Sequence, residues 1–127
     1  MITAAHKAEW LRNNLKQGEL YAGLILGQNG EQDYHLVLLP TEADGVTWKN
    51  AITWAKKAGG QLPTRRELRL LMANAADSFA KDWYWSGEQH AASSGYAWCQ
   101  TFASGGQTNY RTFYKLRARA VRQIPIE

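Results

Sequence analysis

The stretch Leu62-Pro63-Thr64-Arg65-Arg66-Glu67-Leu68-Arg69-Leu70-Leu71-Met72-Ala73-Asn74-Ala75 decides the fold class. Thr64 and Glu67 have the spacing at which the two side chains satisfy each other's free backbone N–H groups at a helix start, and Pro63 precedes the cap. Leu68, Leu71, Met72 and Ala75 then fall on one helical face, so this helix is expected to bury that face. Immediately upstream, Trp48, Ala51, Ile52 and Ala55 recur at i, i+3, i+4 and i+7 and predict a second amphipathic helix. Asp44-Gly45 reads as the turn before it and Gly59-Gly60 as its stop.

Farther out in both directions the pattern changes to strands. Glu19 to Leu26 and Asp33 to Leu39 are apolar runs separated by Gly27-Gln28-Asn29-Gly30-Glu31, and Asn-Gly in such a gap signals a hairpin. Pro40 is expected to end the second run, because it cannot donate to a ladder. Before the hairpin, Ala4, Ala8, Leu11 and Leu15 suggest a short helix that stops at Gly18. Beyond Asp77, Trp83-Tyr84-Trp85 and Tyr96-Ala97-Trp98-Cys99-Gln100-Thr101-Phe102 alternate with Ser- and Gly-rich loops, and Leu116 to Ile124 reads as a last strand. Two central helices flanked by short strands predict an α+β domain, the helices packed on small twisted antiparallel sheets, with the short N-terminal helix and hairpin in residues 1–40.

Composition agrees with one domain over 1–127. A chain of 127 residues with 45% apolar content and six Trp can bury a real core and is too short for two ordinary domains. The net charge is +4, from 15 basic and 11 acidic residues, less concentrated than a dedicated duplex binder requires, so nucleic acid is not the expected partner. Met1-Ile2-Thr3-Ala4-Ala5-His6-Lys7 has no continuous apolar core of the signal-peptide kind, and no apolar run reaches the roughly 20 residues of a membrane helix. The expectation is a chain that is cytoplasmic when synthesised, with no membrane partner; association with a virion stays open.

Several landmarks recur together. Trp48-Lys49-Asn50-Ala51, Gly59-Gly60, Leu62-Pro63-Thr64-Arg65-Arg66-Glu67-Leu68, Tyr84-Trp85-Ser86-Gly87-Glu88, Ala97-Trp98, Phe102, Gly105-Gly106 and Arg119-Ala120-Val121-Arg122 follow one another in order. In them the chain, over residues 46–123 or so, resembles the Lcl C-terminal domain family, a domain of unknown function often found in phages and prophages. Gln61 stands where that pattern usually has Trp-Arg, and Gly87 where it usually has Ser. The resemblance implies a C-type-lectin-like fold with loops projecting from one side. It implies no agreed activity, because this scaffold hosts sugar binding, protein binding and, rarely, oxidation chemistry.

The residues offer little chemistry. A calcium site needs several convergent oxygen ligands, whereas Glu88, Gln89, Gln107 and Asn109 include a single carboxylate. His6, His35 and His90 are far apart in sequence, and Cys99 has no second cysteine for a disulfide or zinc pair. Oxidase members of the lectin-like class depend on a cysteine pair, which is lacking here. Ser86, Glu88 and His90 make a nucleophilic set on paper, without the strand-to-helix elbow that activates such a serine. Gly59-Gly60 and Gly105-Gly106 lack phosphate-loop spacing. Trp48, Trp85 and Trp98 are assigned to the core; Trp10 and Trp54 lie off the apolar stripes. Cys99 is expected to be a small buried residue, and Arg119 or Arg122 to pair with Glu67 or Glu88.

The segment Ser104-Gly105-Gly106-Gln107-Thr108-Asn109-Tyr110-Arg111-Thr112-Phe113-Tyr114-Lys115 is rich in Tyr, Asn, Ser and Gly, as recognition loops are, although a solvated hairpin has the same composition. The resulting expectation is a non-catalytic module of phage or prophage type that needs no cofactor and binds a protein or carbohydrate partner through C-terminal loops. Its binding residues would be Gln89, His90, Tyr96, Asn109, Tyr110, Arg111 and Tyr114. The alternative is a small phage inhibitor of a host enzyme or defence complex.

Overall fold

The computed structural model describes residues 3–126, so Met1 and Ile2 of the N-terminal stretch lie outside the described residues. In chain order the elements are α1 (Ala4–Asn14), β1 (Leu20–Ile25), β2 (Tyr34–Val46), α2 (Trp48–Lys57), α3 (Arg65–Ala75), β3 (Trp83–Gln89), β4 (Tyr96–Thr101), β5 (Gln107–Arg111) and β6 (Leu116–Pro125). The class is α+β. The strands form one six-stranded mixed sheet in the order β1-β2-β6-β3-β4-β5. Two antiparallel ribbons, β1-β2-β6 and β3-β4-β5, meet where β6 runs parallel to β3, in register at the single pair Tyr84 and Arg117.

The local signals act as their chemistry requires. Thr64 Oγ1 accepts from Glu67 N at 3.1 Å while Glu67 Oε1 accepts from Thr64 N at 2.9 Å, which closes the capping box. Asn29 and Gly30 both turn through positive φ, 56° and 83°. Pro40 does not end its strand. The register of β2 on β6 slips between Leu38 and Glu42, and Pro40 sits inside that slip, where no ladder N–H is called for. The strand bends there and continues to Val46, with the Asp44-Gly45 turn inside a second slip between Ala43 and Val46.

Alternation along the strands divides the core between two faces. Leu36, Leu38, Tyr84 and Val121 pack with Leu68, Leu71 and Ala75 of α3, together with Phe79 and Phe102. Leu39, Trp85, Ala97, Cys99, Ala118 and Ala120 pack with Ala51 and Ala55 of α2. Adjacent residues such as Tyr84 and Trp85 go to different clusters, so α2 and α3 cover opposite faces. Helix α1 buries none of its residues fully; Trp10 holds it to the hairpin by packing on Tyr21 and His35, with centroids 5.4 and 4.4 Å away. No described helix is long and apolar enough to cross a membrane.

The arginines of β6 are structural, with partners other than those expected. Arg119, 8% exposed, donates to Ser78 O at 2.6 Å and Leu39 O at 2.8 Å and faces the Phe79 ring. Arg122 forms a fork with Glu19, at 2.9 and 2.7 Å, and bonds Asn14 O. Glu67 is instead taken up by Thr64 N, Tyr34 Oη and Gln123 Nε2, and Glu88 by Arg65 N. The pairing fails because Arg119 and Arg122 lie on opposite sides of the strand from one another and both are directed toward other segments, which their positions in sequence do not reveal.

Candidate functional site

Strand β4 turns its small residues one way and its large ones the other. Ala97 and Cys99 enter the core under α2, and Gln100 points to α3, where its Nε2 donates to Leu68 O at 2.8 Å. Tyr96 and Trp98 share the Gln100 face by the two-residue period. Helix α3 begins at Arg65 and leaves them only half-buried. Trp98 is thus not a core residue, in contrast to Trp85, which is wholly buried.

Arg65 fills part of that space. Its guanidinium carbon lies 3.4 Å from the Trp98 ring centroid, while Nε donates to Gln107 Oε1 at 3.0 Å. Gln107 answers by donating from Nε2 to Arg65 O and to Gln100 Oε1, both at 2.9 Å. A guanidinium held over an indole keeps its charge while shedding some water, an arrangement worth about 0.5–1 kcal/mol where half exposed. The His90 ring stacks near parallel to Trp98, with centroids 5.9 Å apart, and Arg111 lies 5.3 Å from the Tyr96 ring. The β4–β5 register sets Tyr96 beside Arg111 and Trp98 beside Asn109. The rings of Trp98, His90 and Tyr96 thus lie between the guanidinium groups of Arg65 and Arg111, with a hollow of about 270 Å³ lined by His90, Ser93, Tyr96 and Asn109. Asn109 Oδ1 is buried there without a hydrogen-bond partner among the described residues. Such an acceptor costs about 1–3 kcal/mol, unusual for a native fold.

The seven residues expected to bind therefore divide. His90, Tyr96, Asn109 and Arg111 share the α3 face. Tyr110, in register with Ala97, is on the α2 face, edge-on to Trp83 at 5.3 Å and beside Tyr114 at 5.7 Å. Gln89 lines a separate hollow of about 450 Å³ with Thr47, Trp48, Lys49, Ser94, Thr112 and Phe113. The 104–115 segment is also more ordered than a projecting loop: residues 107–111 are β5, the last strand of the sheet. Arg65 and Trp98 are the members of the site that sequence reasoning missed. The signal available for Trp98 was the contrast of small Ala97 and Cys99 with bulky Tyr96 and Trp98 along one strand.

The groups considered for catalysis have other partners. Ser86 Oγ accepts from Glu88 N at 3.1 Å, the Glu88 carboxylate accepts from Arg65 N at 2.7 Å, and His90 Nδ1 accepts from Ala92 N at 3.1 Å. Cys99 is fully buried; burial pushes its thiol up to about 12, far from a reactive thiolate. Among the described residues no group of three or more His, Cys, Asp or Glu side chains is placed to hold a metal ion. A scan against protein-family models finds no match for this chain, and a search of curated proteins finds none either.

Proposed function

We propose that this chain is a non-catalytic recognition module of phage or prophage type, C-type-lectin-like in fold and related to the Lcl C-terminal domain, that binds a macromolecular partner on the α3 side of β4 and β5. The observation that carries the reading is the row Arg65, Trp98, His90, Tyr96 and Arg111, which stands outside both core clusters. Aromatic and Arg side chains are the types that dominate binding energy at interfaces, because they give large contact area at modest entropic cost. Here several are already held in place by stacking. The landmark series supports the family reading, and the α+β sheet with helices on both faces is compatible with it.

A second reading, inhibition of a host enzyme or defence complex, draws on a cleft of about 530 Å³ beside the start of α3. Arg65, Arg66 and Arg69 line it and would suit an acidic surface, with Glu31 and Glu88 interrupting the charge. Co-purification from a bacterial lysate, with mass spectrometry of what is retained, tests both readings. A virion or cell-surface component favours recognition; an intracellular enzyme complex favours inhibition. The combined change His90→Ala, Tyr96→Ala and Arg111→Ala is expected to abolish retention, whereas Tyr110→Ala with Tyr114→Ala leaves it. The reverse pattern moves the binding face to the other side of the sheet.

A further inference from the structure

Among the described residues, strand β5 closes the sheet order with no strand beyond it. Its pairing with β4 settles which backbone groups are used. Thr112 N donates to Gly95 O at 2.9 Å and Thr101 N to Gly106 O at 3.0 Å, at the two ends of the ladder. In an antiparallel pair, bonded and non-bonded positions alternate, so Thr108 and Tyr110 bond inward while Gln107, Asn109 and Arg111 turn their backbone outward. Among the described residues no hydrogen bond reaches the outward N–H groups of these three or the carbonyls of Gln107 and Asn109. The opposite edge is finished differently, since the Asn74 side chain of α3 bonds the Ala22 carbonyl of β1 and a bulge interrupts the strand.

We propose that the β5 edge accepts an extended acidic segment of a partner protein as an additional strand, an assignment that rests on the recognition reading above. Backbone groups at alternate residues supply the hydrogen bonds, as in other strand-addition complexes. The side chains supply the selection. On the α3 face a guanidinium stands at each end: Arg65 is bonded to the Gln107 side chain, and Arg111 is exposed. Glu88, the acidic group on this flank, already caps Arg65 N. On the other face are Thr108, Tyr110 and the turn residue Phe113, which is 64% exposed. An added strand would therefore carry carboxylates at positions four apart and apolar side chains at the interleaved positions. Carbohydrate has no row of alternating N–H and C=O groups to offer this edge, which favours a polypeptide.

The probe is a display library of random dodecapeptides selected against the intact chain, followed by titration of the enriched peptides. Enrichment of Asp or Glu at i and i+4 with apolar residues between them is expected. These peptides shift and protect the amides of Gln107, Asn109 and Arg111. Asn109→Pro removes one outward N–H and no bond to β4, and weakens binding about tenfold, the worth of one or two backbone hydrogen bonds. Arg111→Glu, exposed and compatible with the fold, moves the preference at one position from acidic to basic. The proposal falls if no peptide is enriched, if the enriched peptides show no acidic pattern, or if both variants bind as the parent does. It also falls if these amides become protected with rising protein concentration alone, which assigns the edge to a second copy. Peptides that lose affinity in Tyr96→Ala and not in Asn109→Pro overturn strand addition and leave the recognition face standing.

Discussion

At the β1 edge, Asn74 of α3 donates to Ala22 O at 2.7 Å, Arg66 of the same helix donates to Leu26 O just past the strand at 3.0 Å, and a bulge at Tyr21–Gly23 breaks its line. Behind it, Glu67 of the same helix accepts from Tyr34 of β2 and Gln123 of β6. At the β5 edge α3 contributes only Arg65, which takes a glutamine side chain and an indole and leaves the backbone free. Unpaired edges invite other chains, and proteins ordinarily blunt them with charge, bulges or cover. One edge here has those devices. The other has its brevity and the guanidinium groups of Arg65 and Arg111, and lies among aromatic groups. The difference teaches that α3 is placed to complete the fold on one side and to frame a surface on the other.

The comparison breaks most visibly at Glu67. It is fully buried, and Glu67→Ala removes a helix cap while leaving the Tyr34 hydroxyl and the Gln123 amide short of an acceptor. A loss of about 3 kcal/mol is expected in urea denaturation, from a cap worth about 1 and buried donors at about 1 or more each. A loss below about 1 kcal/mol would mean that α3 does not weld this half.

Next in size is Arg122→Gln, which leaves Glu19, with a side chain only 5% exposed, without its cation. A cost of about 2 kcal/mol at pH 7 is expected, between the ranges for exposed and buried pairs. The Arg122 hydrogen bond holds the Glu19 carboxyl below its ordinary value of 4.5. With the folded value depressed, the unfolded chain takes up the proton first as pH falls. The pair's stabilisation is therefore complete above about pH 5 and drains away below it. Parent and variant should differ fully at pH 7 and converge in thermal melts as the pH falls below the ordinary carboxylate range; a gap that stays constant into acid assigns the loss to packing.

Smaller again is Asn74→Ala, which uncovers Ala22 O and should cost about 1 kcal/mol or less in denaturant. It sharpens the comparison because the accompanying change is local: amide exchange should rise along β1 and stay constant along β5. A uniform rise would show that Asn74 supports the whole domain rather than one edge.

How much of this was legible follows from how far apart the interacting residues are. The capping box of Thr64 and Glu67 and the turn at Asn29-Gly30 are local, and the sequence states them outright. Strand β2 beyond Pro40 depends on β6, which arrives some eighty residues later, and no local signal outweighs the proline. Alternation in β4 reveals that two faces exist without saying how far a helix covers each, so the expected core place of Trp98 gives way to a half-buried one beneath Arg65. Strand β5 has the composition of a loop and is a strand through its pairing with Tyr96–Gln100. The partners of Arg119 and Arg122 were unreadable because a long guanidinium stem reaches several segments, and geometry alone chooses among them.

The smallest expected effect needs no substitution. Inward amides of Thr108 and Tyr110 should exchange with solvent more slowly than outward amides of Gln107, Asn109 and Arg111 in the free protein, giving a two-residue alternation along β5. No comparable alternation is expected across Tyr21–Gly23, where the bulge removes the strict period. Both strands lie at edges and both pair on one side only, so a difference in their exchange patterns isolates what finishes each edge. If all five β5 amides are equally protected at low protein concentration, the edge is already covered within one chain and the contrast with β1 disappears. If the alternation is present, the free groups stand in the order that an added strand requires, two residues apart along a ribbon whose other side is fixed to β4.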